Sequence, residues 1–266
     1  MVDQTVVIDA PPATREEDSS TVLQIAVLAS LAATGTLATN ILLPSLPQMA
    51  AGLKVSTPVV TSAITVFLAV FALGQLVVGP ISDRFGRRWP VLIGFAVFFA
   101  GSAWCALAAD LPGLLAGRVV QAAGACATSV LSRAIARDMF SGAALARAMA
   151  LIMIAMAAAP GFSPLLGGGL DHLFGWRSTF VLVAIFAAIG ALAYASVLGE
   201  THNSTRIPLN PLAITKNYIG LIADRRFVVP AATVSLIMVL ATRVGEARSS
   251  ASTQRMKAAA PPPTPR

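Results

Sequence analysis

The sequence predicts an all-α integral membrane protein: a six-helix bundle followed by a partial seventh helix. Three observations predict it. Hydrophobic residues fill 56% of the 266 positions, charged residues only 12%, and mean hydropathy is +0.76. A water-soluble domain carries about twice that charged fraction. The apolar residues also fall in blocks close to the roughly 20 residues that a bilayer-spanning helix needs, and basic loops recur between alternate blocks.

The elements follow in order. Met1–Ser20, with Pro11, Pro12 and the acidic run Glu16, Glu17, Asp18, reads as a disordered tail. A cleavable signal would be basic there, so the first apolar block is retained as a membrane helix. Within the bundle, residues 21–200, the spans are Val22–Leu43, Val59–Gly79, Trp89–Ala109, Leu111–Ser132, Ala148–Gly168 and Ser178–Leu198. Residues 201–226 form a polar linker. Phe227–Ala241 has only fifteen residues and contains Pro230, so it reads as a partial seventh helix. Residues 242–266 are a basic, Ala/Pro-rich tail without apolar period. That abrupt change of character suggests a truncated or frame-shifted reading of a longer chain.

Loop charge sets the orientation. Arg84, Arg87, Arg88, Arg133, Arg137, Arg147, Arg206, Lys216, Arg225 and Arg226 follow the even-numbered spans, while the odd-numbered exits carry only Lys54 and Arg177. By the positive-inside rule the even exits and the N-terminus are cytoplasmic. The net charge of +7 arises wholly after Glu200: ten basic and ten acidic residues precede Thr201, and nine and two follow. The membrane body therefore offers no basic face to a nucleic acid. Cys105 and Cys126 lie inside spans without metal-ligand spacing, no cofactor motif is present, and no nucleophile–base constellation points to an enzyme. His172 beside Asp171 reads as a solvated loop pair.

Three stretches carry chemistry. In FALGQLVVGPISDRFGRR, Phe71–Arg88, Gly74 and Gly79 are small enough for close helix contact. Asp83 then stands at the membrane edge beside Arg84, Arg87 and Arg88, with Gly86 placed for a tight turn. In LLAGRVVQAAGACATSVLSRAIARDMF, Leu114–Phe140, Arg118 is charged inside a span and shares a helix face with Gln121. Such a charge costs on the order of 2.5–3.5 kcal/mol on insertion scales, so it faces a cavity or partner, or else snorkels to the interface. In APGFSPLLGG, Ala159–Gly168, Pro160 and Pro164 each remove a helix hydrogen bond, and Gly161, Gly167 and Gly168 offer flat faces for crossing.

The first stretch resembles the signature loop between the second and third helices of the major facilitator superfamily. There the pattern matched by Gly79, Asp83, Arg84, Gly86, Arg87 and Arg88 forms a conformational latch. The second resembles the superfamily's fourth-helix motif, implicating Arg118 and Gln121 in proton coupling or the transport cavity. The third is similar to the motif of its antiporter branches, with Ser163 where Gly is usual. LPSLPQMA, GWRSTF and LGET extend the likeness to the Bcr/CflA drug:proton antiporters over Ala33–Thr201. Asn40 stands where that subfamily often has Asp, and an amide carries no proton.

The resemblance implies a multidrug exporter of the inner membrane, exchanging a small drug-like molecule for protons, of which this chain matches the N-terminal half. A cavity built by two six-helix halves would lack one wall. A homodimer rebuilding that cavity, and a non-transporting membrane interaction protein whose basic tail binds anionic lipid, are the alternatives.

Overall fold

The computed structural model describes residues 15–198 and eight further positions between 220 and 233. Seven helices occupy the first stretch: α1 (Arg15–Asn40), α2 (Leu46–Gly52), α3 (Thr57–Phe85), α4 (Arg88–Leu107), α5 (Leu111–Met139), α6 (Gly142–Phe174) and α7 (Arg177–Val197). All but α2 are long and apolar enough to cross a membrane, so each of the six predicted spans is found.

Three helices outrun the apolar blocks that announced them: α3 and α5 have 29 residues and α6 has 33. Polar residues end a hydropathy block, but they do not end a helix once it reaches the headgroup layer. At the other end, α1 begins at Arg15, inside the segment expected as a tail; its acidic sequence suits a helix N-terminus. The α5 start is fixed locally, where Asp110 Oδ1 accepts from the Gly113 amide at 2.8 Å, a cap worth about 1 kcal/mol. Gly86 (φ 86°) and Gly175 (φ 77°) terminate α3 and α6 in the left-handed region that glycine enters without strain.

Helices α1 and α5 form the centre. Helix α5 packs on α3 and α4, α1 packs on α6 and α7, and α1–α5 and α4–α7 contacts close the bundle. The first three spans and the last three thus have matching contact patterns, an internal-repeat arrangement of the kind transporters use. The centre is also where polarity collects. The α5 span has a mean hydropathy of 1.4 and is the most buried, against 2.4 for α7. A helix shielded from lipid by its neighbours can afford polar groups.

Close packing rests on glycine. A Cβ at Gly101 or Gly124 would strike the backbone of Gln121 or Phe98, and one at Gly94 or Gly117 would meet Ala127 or Cys105. These four positions interlock α4 and α5 at backbone distance, as small residues permit in lipid. Gly74 sits against Cys126, and a Cβ at Gly167 would strike the Ile41 carbonyl. Gly79 and Gly161, expected to mediate helix crossings, meet nothing within 4 Å among the described residues. They lie on α3 and α6, whose spans are the least buried, so whatever they admit is not another helix of this bundle.

Residues beyond Pro208 form a separate unit. The linker 201–226, the partial seventh helix 227–241 and the tail 242–266 lie outside the described residues, apart from those eight positions.

Candidate functional site

Two polar clusters stand out, one at the membrane edge and one deep in the bundle. The first gathers where α3 and α5 end. Gly86 turns the chain sharply, which brings Arg87 back over the last turn of α3. Arg87 Nη1 donates to Asp83 Oδ1 at 2.8 Å and to Ser82 Oγ at 2.5 Å, and Nε donates to Asp138 Oδ2 at 2.8 Å. Arg87 therefore ties α3 to α5 through two carboxylates. Burial acts to lower its pKa, but hydrogen bonds and charge from Asp138, then Asp83, outweigh that and hold the guanidinium above the ordinary arginine value. Arg84 is not part of this network; its guanidinium lies 5.3 Å from the Phe85 ring centroid. The sequence reading placed Asp83 and Arg87 together. It missed Ser82 and Asp138.

The second cluster is built around Arg118, which is 0% exposed. The side chain does not snorkel. Nε donates to the Ala63 carbonyl of α3 at 3.2 Å, and Nη1 donates to the Ala38 carbonyl of α1 at 3.3 Å and to Gln121 Oε1 at 2.5 Å. Gln121 Nε2 donates onward to Ser102 Oγ of α4 at 2.8 Å, and Ser102 Oγ donates to the Phe98 carbonyl at 2.7 Å. The guanidinium carbon lies 4.1 Å from the Phe67 ring centroid, close enough for a cation–π contact worth about 2 kcal/mol when desolvated. Among the described residues no carboxylate pairs with Arg118. Carbonyl, amide and ring dipoles alone balance its charge, and Nη2 is buried without an acceptor.

Other expected site residues fall elsewhere. Asn40 donates from Nδ2 to the Thr36 carbonyl of its own helix at 2.8 Å. Pro160 and Pro164 both lie within the continuous helix α6. Gly167 packs on Ile41, and Gly168 lies near Pro44 at ordinary contact distance. Ser163, between the prolines, is fully buried with its hydroxyl unpaired. Asp171 and His172 are not a loop pair: both lie in the last turn of α6, with Asp171 buried and His172 exposed.

The polar core also corrects the expectation that Arg118 and Gln121 face a missing wall. Both are enclosed by α1, α3 and α4 of this same bundle. Ser102 and Phe67, which complete the enclosure, carry no signal in a hydropathy reading. Serine and phenylalanine are ordinary inside a span.

The chain is 37% identical over 214 residues to the uncharacterized MFS-type transporter YdgK of Bacillus subtilis (strain 168), covering 79% of this chain and 53% of that protein. It is 30% identical to multidrug resistance protein D of Escherichia coli (strain K12), with coverages of 66% and 44%. It is 31% identical to the bicyclomycin resistance protein homolog of Haemophilus influenzae, with coverages of 77% and 52%. The chain thus spans about half the length of the curated relatives it matches. The crystal structure of a peptide transporter, POT, in complex with sulfate has the same fold, with a TM-score of 0.61 at 15% identity over 85% of this chain and 47% of that one. The profile described as Major Facilitator Superfamily matches residues 28–250, and the chain belongs to that superfamily.

Proposed function

We propose that this six-helix bundle is one half of an inner-membrane drug:proton antiporter, with its N-terminus in the cytoplasm. The observation that carries the reading is Arg118: a fully buried guanidinium that, among the described residues, has no carboxylate partner and has one nitrogen lacking an acceptor. A buried charge balanced only by dipoles is costly, and in membrane proteins such residues mark ion or substrate paths. Its chain of contacts through Gln121 to Ser102 touches four helices, so a change in charge nearby can alter how those helices pack. Asn40 carries no proton and serves as a hydrogen-bonding group. The drug-like substrate follows the likeness to multidrug resistance protein D and the bicyclomycin resistance protein homolog.

A second bundle is needed to close the path, because alternating access rocks one half against the other. The open faces of α3 and α6, with Gly79 and Gly161 unobstructed, suit its close approach. A second copy of this chain is the alternative source of that bundle. Efflux of a fluorescent cationic drug from cells expressing the bundle joined to a second one tests the reading. Efflux should stop on adding a protonophore and fall with Arg118→Ala at constant protein level. Efflux that survives both changes would exclude proton coupling through Arg118.

A further inference from the structure

The membrane-edge cluster leaves two cations over. A recess of about 330 Å³ between the ends of α3 and α5 is lined by Ser82, Asp83, Arg87, Arg133, Arg137 and Asp138, among others. Arg87 engages both carboxylates. Arg133 and Arg137 stand one turn apart on α5, and among the described residues neither pairs with an acid. The hydrogen bond that Arg133 makes runs from Nη1 to the Met156 thioether at 3.6 Å, and a thioether is a weak acceptor for a group with five donors. Like charges at this spacing also repel. One oxyanion accepting from both guanidinium groups would relieve both deficits, in the geometry arginine favours for phosphate.

Depth narrows the choice. Helix α5 has 29 residues, about 43 Å of helix against a hydrocarbon core of about 30 Å, so its ends reach the headgroup layers. Arg133 and Arg137 lie six and two positions before Met139, about 9 and 3 Å from the helix end. With about 6 Å of helix beyond the core at each end, Arg137 stands at headgroup depth, and Arg133 starts just inside the hydrocarbon boundary with a side chain long enough to reach the phosphate layer. We propose that Arg133 and Arg137 bind a phosphate oxyanion, supplied by the headgroup of an anionic phospholipid.

Native mass spectrometry of the purified 266-residue chain tests it, with phosphatidylglycerol, phosphatidylcholine and inorganic phosphate added separately. Phosphatidylglycerol should be retained about ten-fold more than phosphatidylcholine, which carries the same phosphate oxyanion but brings a choline cation that the arginine pair repels. Arg133→Gln with Arg137→Gln should abolish the preference, whereas Arg84→Gln should keep it. Arg133→Lys with Arg137→Lys, which preserves charge but not the planar fork, should fall between and guards against misfolding of the neutral variant. Thermal unfolding of the unaltered chain gives a readout free of substitutions: phosphatidylglycerol should raise the midpoint and phosphatidylcholine should not. Retention of inorganic phosphate that depends on the same two arginines would support the phosphate site and name free phosphate as its source. Equal retention of the two lipids, or a preference unchanged in the neutral variant, would overturn the proposal. So would a dimer that depends on the arginine pair while lipid retention does not, because the pair would then serve a protein carboxylate.

Discussion

Arg87 and Asp138, separated by 51 positions in sequence, meet at 2.8 Å where α3 and α5 end. This contact turns a local Asp–Arg motif into a cross-helix brace, because Arg87 is also held by Asp83 one turn away. Replacing Asp138 by Asn should therefore weaken the brace as much as replacing Asp83. In a version joined to a second bundle, each substitution should cut drug efflux by about ten-fold, the equivalent of one charge-assisted hydrogen bond, while membrane insertion is unchanged. Efflux at the original rate in Asp138→Asn would reduce the contact to a packing detail.

The brace has a defined response to pH. Its arginine is held above the ordinary value, so its stabilising contribution is complete below the unfolded-state pKa and is lost only as pH rises through the folded one. Both lie in the strongly alkaline range. Thermal midpoints of the unaltered chain and of Arg87→Gln, recorded from pH 6 to 9, should run parallel. Curves that converge toward pH 9 would contradict an ionised, paired Arg87.

Arg118 offers a structural test as well as a functional one. Arg118→Ala strips donors from the carbonyls of Ala38 and Ala63 and from Gln121, and each group stranded in the interior costs about 1–3 kcal/mol. Arg118→Lys keeps the charge but cannot reproduce the planar fork. The order of thermal stability should be wild type, then Lys, then Ala. An alanine variant as stable as wild type would mean the enclosed geometry is not the resident one.

The glycine contacts separate two kinds of position. Gly124→Ala drives a methyl group into the backbone of Gly94 and Phe98 and should cost about 1–3 kcal/mol by overpacking. Gly161→Ala, on the open face of α6 with nothing within 4 Å, should be neutral or gain up to about 1 kcal/mol from helix propensity. Denaturation in mild detergent reads both, and equal effects would argue against the α4–α5 interlock.

Orientation can be read with few background labels. Cys105 and Cys126 are buried, whereas Lys54 and Phe85 are exposed. An impermeant thiol reagent applied from outside should modify a cysteine introduced at Lys54 and spare one introduced at Phe85. The reverse pattern would invert the proposed topology.

Much of this architecture was legible because a bilayer imposes a length on every apolar run, so six blocks of roughly 20 residues translate directly into six helices. Helix ends were not legible: Arg133–Met139 and Gly142–Arg147 are polar enough to look like loops while remaining helical. Helix α2, with seven residues, is too short to show a period. At the sites, the pairs close in sequence were readable: Arg118 with Gln121 from helical spacing, and Asp83 with Arg87 from the tight turn that Gly86 permits. Their partners Asp138, Ser102, Phe67 and the two carbonyls arrive through tertiary packing and leave no local mark. Asn40, by contrast, makes its hydrogen bond within its own helix.

The interlocked glycines of α4 and α5 bear on how the protein is made. The two helices are joined by only three residues, 108–110, and their backbones touch along a shared seam. During synthesis α5 emerges immediately after α4, so the pair can zip into a hairpin before α6 and α7 exist. Arg118 and Gln121 ride on that hairpin beside Ser102. The most hydrophilic span of the bundle can therefore enter the bilayer already holding a partner for its amide, which would lessen the cost of leaving the translocation channel.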